Sequence, residues 1–137
     1  MVIYIAKSIQ ILWNKNNPMD PHFPNYIYNV LKPISHKITL SVIYCALKYI
    51  NKISDITRNK TPYSEYKVFI IAMHLADIQL NDKPYTLSTW SKLSGICIDN
   101  IKLMRKDFLI LLDYNINISN EEYKLWTSNS STTISSK

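Results

Sequence analysis

The apolar positions of this 137-residue chain fall at helical spacing in one segment after another. Val2, Ile5, Ile9, Leu12 and Trp13 share a face, the pattern of a short amphipathic helix over 2–13. NKNNPMDPHFP, with its prolines among polar residues, interrupts the pattern and reads as a linker. Pro24 is a natural first-turn residue for a second short helix, marked by Ile27, Val30 and Leu31, which must stop near Pro33. Two helices of another kind come next. In ITLSVIYCALKYINKI (38–53), Leu40, Ile43, Leu47 and Ile50 form one stripe, and Val42, Ala46, Tyr49 and Ile53 a second. In EYKVFIIAMHLADIQL (65–80), Phe69, Ala72, Met73, Ala76 and Leu80 take one side, with Ile70, Ile71, Leu75 and Ile78 on others. Helices apolar around most of their circumference are central and buried, so these two form a hub for the shorter amphipaths. Thr61 and Pro62 read as the N-cap and first-turn pair of the later one.

In YTLSTWSKLSGI (85–96), Leu87, Trp90 and Leu93 make one or two helical turns, capped by Thr86 or Ser88. Gly95, the single glycine of the chain, stands where a left-handed stop belongs, with Ile96 placed to pack back on Trp90. From Cys97 to Leu112, Ile101, Met104, Phe108 and Leu111 or Leu112 form an inner stripe, with Lys102, Arg105 and Lys106 outside. DYNINI ends that helix, and SNEEYKLW (119–126) begins another, Ser119 and Glu122 forming a capping box. The Ser/Thr-rich tail, 127–137, lacks large apolar anchors apart from Ile134 and is expected to be disordered. These segments predict an all-α protein. An N-terminal helix and linker (1–20) precede a five-helix bundle (21–126) built around the central helices.

Composition narrows the function. One glycine is too few for the hairpins of an all-β fold or the phosphate-cradling loops of a nucleotide-binding one. A net charge of +6 and a pI near 9.3 suit an acidic partner. The lysines are dispersed, however, with only KLMRK (102–106) locally dense, so nucleic acid is not the expected partner. Cys45 and Cys97 lie in apolar helical patterns and read as two reduced, buried thiols. Lys7 interrupts the apolar start, no cleavage site comes after it, and no apolar run reaches the ~20 residues of a membrane span. The expectation is a soluble protein of the nucleus or cytoplasm that does not engage a membrane.

Chemistry for catalysis is hard to find. His22, His36 and His74 fall at no metal-ligand spacing with each other or with the cysteines. His74 sits on the 65–80 helix, where a hydrogen-bonded core histidine is favoured over a catalytic one. Glu121 and Glu122 suit a helix N-terminus, and the ten tyrosines scatter over helix positions that call for packing. There is no serine elbow, no phosphate loop and no paired-histidine zinc motif. The chain therefore reads as an interaction protein rather than an enzyme, with no cofactor, metal or small-molecule substrate expected.

Four stretches in order resemble the cyclin box, and specifically the P-type cyclins, the phosphate-pathway class best known from fungi. LSVIYCALKYINKI is similar to the second box helix, with Tyr49-Ile50-Asn51-Lys52 at its end. EYKVFIIAMHLADIQLND is similar to the third, with Tyr66-Lys67 where a His–Arg pair is common and Leu80-Asn81-Asp82 at its exit. YTLSTWSKLSGI resembles the next element in its aromatics, Lys92 and glycine. IKLMRKDFLILLDYNINISNEEYKLW resembles the fourth helix, its exit and the adjoining segment of fungal members. There are departures. Asp77-Ile78-Gln79 stands where a small residue, a lysine and an aromatic are usual, and Arg105 replaces a usual glutamate. Cys97 takes the place of a hydroxyl N-cap, leaving Asp99 as a substitute cap.

The resemblance implies a regulatory subunit that binds a cyclin-dependent kinase and pushes its C-helix inward. The kinase-binding candidates it implies are Lys67, Asp82, Tyr85, Lys92, Ile96 and Ile98. Ile96 and Ile98 either accept apolar residues of the kinase or cap the core. Lys92, where cell-cycle cyclins usually carry a kinase-pairing glutamate, either meets the kinase or is simply solvated. Lys67 begins the third box helix on the side implied to face the kinase, and Asp82 and Tyr85 are expected to frame the turn beside it. Trp90, Gly95 and Phe108 have structural roles. The alternative is a cyclin-fold adaptor of the general transcription factor IIB type, binding protein or DNA without activating a kinase.

Overall fold

The computed structural model describes residues 1–13, 17–57 and 63–116. Six α-helices run in the order α1 (Val2–Trp13), α2 (Phe23–Leu31), α3 (Leu40–Thr57), α4 (Glu65–Leu80), α5 (Leu87–Ser94) and α6 (Ile98–Leu111). The fold is all-α, with no strand among the described residues. The capping box at Ser119, the helix over 119–126 and the tail lie outside the described residues. None of the described helices is long and apolar enough to cross a membrane.

Helix α4 organises the rest. Every residue from Val68 to Asp77 is buried, so no face of this segment is left for water. Such a helix needs neighbours on all sides. Helix α3, buried from Val42 to Leu47 and again at Tyr49, Ile50 and Ile53, lies along it. Helices α1, α5 and α6 also pack against α4, and α1 bridges α2 and α3. Phe23 of α2 meets Phe69 of α4 edge-to-face at 6.3 Å, and Tyr26 meets Tyr66 at 4.9 Å. The two all-round apolar segments are thus the hub that their patterns predict.

Boundaries depend on local chemistry. Helix α2 carries Pro24 in its first turn and gives way to a single 3-10 turn, Lys32–Ile34, across Pro33. Helix α3 starts two residues later than the apolar pattern suggests, and Leu40, assigned to an inner stripe, is half exposed at its first turn. The N-cap of α4 is Ser64, whose hydroxyl accepts from the Lys67 N–H, in place of the Thr61–Pro62 pair; residues 61 and 62 lie outside the described residues. At its other end Ile78 and Leu80 emerge to 39% and 44% exposure, although the stripes place both inside.

Helix α5 is short, capped by Thr86 through the Thr89 N–H at 3.2 Å, and it ends at Gly95. Gly95 has φ +76° and ψ +9°, the left-handed stop expected of it, and its N–H reaches the Ser91 carbonyl at 2.9 Å. A Cβ at position 95 would meet nothing within 4 Å, so the requirement for glycine is conformational and not one of space. Forcing an alanine into that conformation costs roughly 1–2 kcal/mol, and a β-branched side chain more. Gly95→Ala should therefore lower stability in urea by about 1 kcal/mol and Gly95→Val by a larger amount. An alanine variant as stable as the wild type would contradict the left-handed assignment.

Candidate functional site

Residues 85–98 are held by hydrogen bonds that start from buried groups. Asp77, on the last buried turn of α4, is 0% exposed. One of its carboxylate oxygens accepts from the Asn81 side-chain amide at 2.6 Å, the other from the Tyr85 backbone N–H at 2.8 Å. The carboxylate therefore clamps the α4–α5 turn. Sequence reasoning missed this role, although a carboxylate one turn before an asparagine at a helix exit was a usable signal. At the far end of α5 the Tyr26 hydroxyl donates to the Ser94 carbonyl at 2.8 Å. Burial pushes that hydroxyl up to about 12, so it stays protonated as a donor. The Ser91 hydroxyl donates to the Ile96 carbonyl at 2.6 Å, and the Ser94 hydroxyl accepts from the Ile96 N–H at 3.0 Å. Two serine side chains thus fix the residue after the glycine stop.

Trp90 is fully buried and lies edge-on to His74 at 6.3 Å and to Tyr85 at 6.4 Å. Phe108 is likewise fully buried and packs on Tyr63. Ile96 and Ile98 are half-buried, each with one part against the molecule and one toward solvent. Lys92 is exposed, on the face of α5 away from Trp90. Lys67 is exposed in the first turn of α4. The succession Tyr66–Tyr26–Ser94 puts that turn at the same end of the molecule as Gly95 and Ile96.

Asp82 and Tyr85 are elsewhere. They come after the C-terminal end of α4, about 20 Å along its axis from Lys67, so they do not frame a turn beside it. The reason is the direction of α4, whose length separates its entry from its exit. At the exit, Tyr85 packs under the Lys37 ammonium, 4.6 Å from its ring centroid, and its hydroxyl lies 3.5 Å from His36 Nε2. Asp82 is exposed in the same turn.

Two further expectations need correcting. Cys45 is buried and its thiol is pushed up to about 11, chiefly by desolvation, but Cys97 is exposed. Cys97 occupies the N-cap of α6, ahead of the buried stripe, and α6 has no side-chain cap from Asp99 or any other residue. His74 is buried as expected yet not hydrogen-bonded: neither ring nitrogen has a partner among the described residues, and the same holds for the Trp90 indole N–H. Both side chains sit among packed helices where apolar neighbours outnumber acceptors. No cluster of three or more histidine, cysteine or carboxylate groups able to hold a metal ion occurs among the described residues.

Comparison with known proteins agrees with the arrangement. The profile of the family described as Cyclin matches residues 25–116. Over 63 residues the chain is 30% identical to PHO85 cyclin-5 of Saccharomyces cerevisiae, a stretch that makes up 46% of this chain and 28% of the yeast protein's length.

Burial, and after it the nearby Arg105 charge, holds the His74 imidazole down at about 4, against a smaller opposing pull from Asp77. The unfolded chain takes up a proton at this residue near pH 6.5, whereas the folded chain stays neutral down to about pH 4. Stability from neutral His74 is complete above that window and declines as pH falls through it. The melting temperature should thus drop between pH 7 and pH 5, and His74→Leu should flatten the drop. A leucine variant whose pH profile runs parallel to the wild type would remove His74 as the cause.

Proposed function

Because this chain belongs to the cyclin family, we propose that it is the regulatory subunit of a cyclin-dependent serine/threonine kinase of the phosphate-pathway type. The chemistry belongs to the kinase. The cyclin binds the active kinase conformation better than the inactive one and so shifts the population toward it. A C-helix held inward completes the kinase's Lys–Glu ion pair and its metal site.

The observation that carries this reading is the turn after Gly95. It presents Ile96 and Ile98 half-exposed on a backbone tied down by Ser91 and Ser94. Pre-ordered apolar anchors lose little freedom when a partner covers them, which is what a docking surface requires. We assign Ile96 and Ile98 to the apolar contact, with Lys92 and Lys67 as charged contacts around it. Asp82 and Tyr85 form a separate contact at the α4 exit. The phosphate-pathway assignment draws on the likeness to the yeast relative and on Lys92.

Affinity capture of the full chain from its native cell, with mass spectrometry and a kinase assay on the product, should recover a cyclin-dependent kinase whose activity rises with the chain. Capture without any such kinase would overturn the proposal. Replacing Ile96 and Ile98 together by Asp should abolish kinase binding and shift the circular-dichroism melt by only a few degrees, since neither side chain is fully buried. A double variant that fails to fold would instead assign both residues to the core. The adaptor reading, in which the +6 charge serves DNA, requires duplex binding with steep salt dependence in filter binding.

A further inference from the structure

A cavity of about 280 Å³ opens between the start of α1, the end of α2 and the entry to α3. Val2, Leu31, Ile38 and Ile43 form its apolar wall, Leu31 and Ile43 buried, Val2 and Ile38 half-buried. Met1 and Tyr28, both exposed, continue that wall toward solvent. The volume is near the lower end of the about 300–1,000 Å³ that small-molecule sites occupy. None of the lining residues belongs to α4, α5 or α6, so the cavity is separate from the surface around Ile96 and Ile98.

The polar edge of the cavity is cationic. Lys32 lines it with its ammonium 5.6 Å from the Tyr28 ring centroid, and no acidic residue is among the described lining. The Ser35 hydroxyl, also in the lining, donates to the Lys32 carbonyl at 3.2 Å and ties the turn that carries the ammonium. Helices α1 and α3 both begin at the cavity, and neither has an acidic residue in its first turn. The positive ends of two helix dipoles therefore adjoin the same space. The negative end of α2 is there too, but its C-cap is Lys32 itself, which offsets it.

An apolar wall with a cationic edge selects a ligand divided in the same way. A small inorganic anion would leave the wall uncovered, and a neutral hydrocarbon would make no use of the ammonium. We propose that this cavity binds a free medium-chain fatty carboxylate, its chain against Val2, Leu31, Ile38 and Ile43 and its carboxylate on Lys32. At about 30 Å³ for each group the size of a water or a methylene, the space holds about nine such groups, so a chain of about eight to ten carbons fills it. Each methylene that leaves water raises affinity about fourfold, and a charge-assisted hydrogen bond to the ammonium fixes which end faces out. The assignment does not depend on the kinase reading, because the two use different helices.

Isothermal titration calorimetry on the full chain, with each ligand below its micelle concentration, tests the site. Decanoate should bind at least tenfold tighter than hexanoate, and dodecanoate should gain little beyond decanoate, because the added carbons find no further wall. Decanoate should also bind about tenfold tighter than decanol, which lacks the charge. Lys32→Glu, at an exposed position that leaves the core untouched, should erase that gap, and Lys32→Arg should keep it. Nuclear Overhauser contacts from the decanoate chain should reach the methyl groups of Val2, Leu31 and Ile43. Equal binding of decanoate and decanol overturns the proposal, as do contacts confined to methyl groups elsewhere. Binding to vesicles of anionic phospholipid that decanoate fails to displace would make this face a lipid-surface contact and overturn it as well.

Discussion

The burial of α4 on every side is the constraint on which the rest of the structure depends. From Val68 to Asp77 this helix has no wet face. Each large apolar side chain along it, such as Phe69, Ile70 or Leu75, contributes about 1.5–3 kcal/mol by leaving water. Those contributions are collected only if α1, α3, α5 and α6 all pack against it. The two polar residues inside the segment must be accommodated on the same terms. Asp77 is satisfied by the Asn81 amide and the Tyr85 N–H. His74 is accommodated by remaining neutral.

That constraint reaches the surface through α5. The Asp77 clamp sets where α5 begins, Trp90 anchors its middle against α4, and Tyr26 holds its last carbonyl. Gly95 then turns the chain, and the serines at 91 and 94 fix Ile96. Core packing, turn chemistry and a presented apolar pair form one sequence of causes. A short helix of this kind would have little stability alone; its order is borrowed from the buried groups at both its ends.

Charge adds the second layer. The excess of cations is dispersed along the sequence, yet the fold removes Asp77 and Asp107 from competition by tying them to Asn81, Tyr85 and Tyr63. Lys102 is left exposed and Arg105 half-buried beside half-buried apolar residues.

Much of this was readable along the chain. The all-round apolar patterns of 38–53 and 65–80 identified the central helices, because a segment without a polar face has nowhere to go but inside. The four ordered stretches that resemble the cyclin box pointed to the family, and the lone glycine marked the left-handed stop that φ +76° bears out. Other features depended on neighbours distant in sequence. Cys97 and Ile78 are apolar in pattern but come to the surface, Cys97 at the N-cap ahead of the buried stripe of α6 and Ile78 just after the last buried residue of α4. His74 has no hydrogen-bond partner among the described residues, the nearby Asp77 carboxylate being taken by Asn81 and Tyr85. Lys67 and Asp82 were separated by the length of α4, while Tyr26 and Ser94 were joined across 68 residues. Local periodicity determines which face of a helix is apolar; only the packing of one helix on another decides how far that face extends and which polar atoms meet across it.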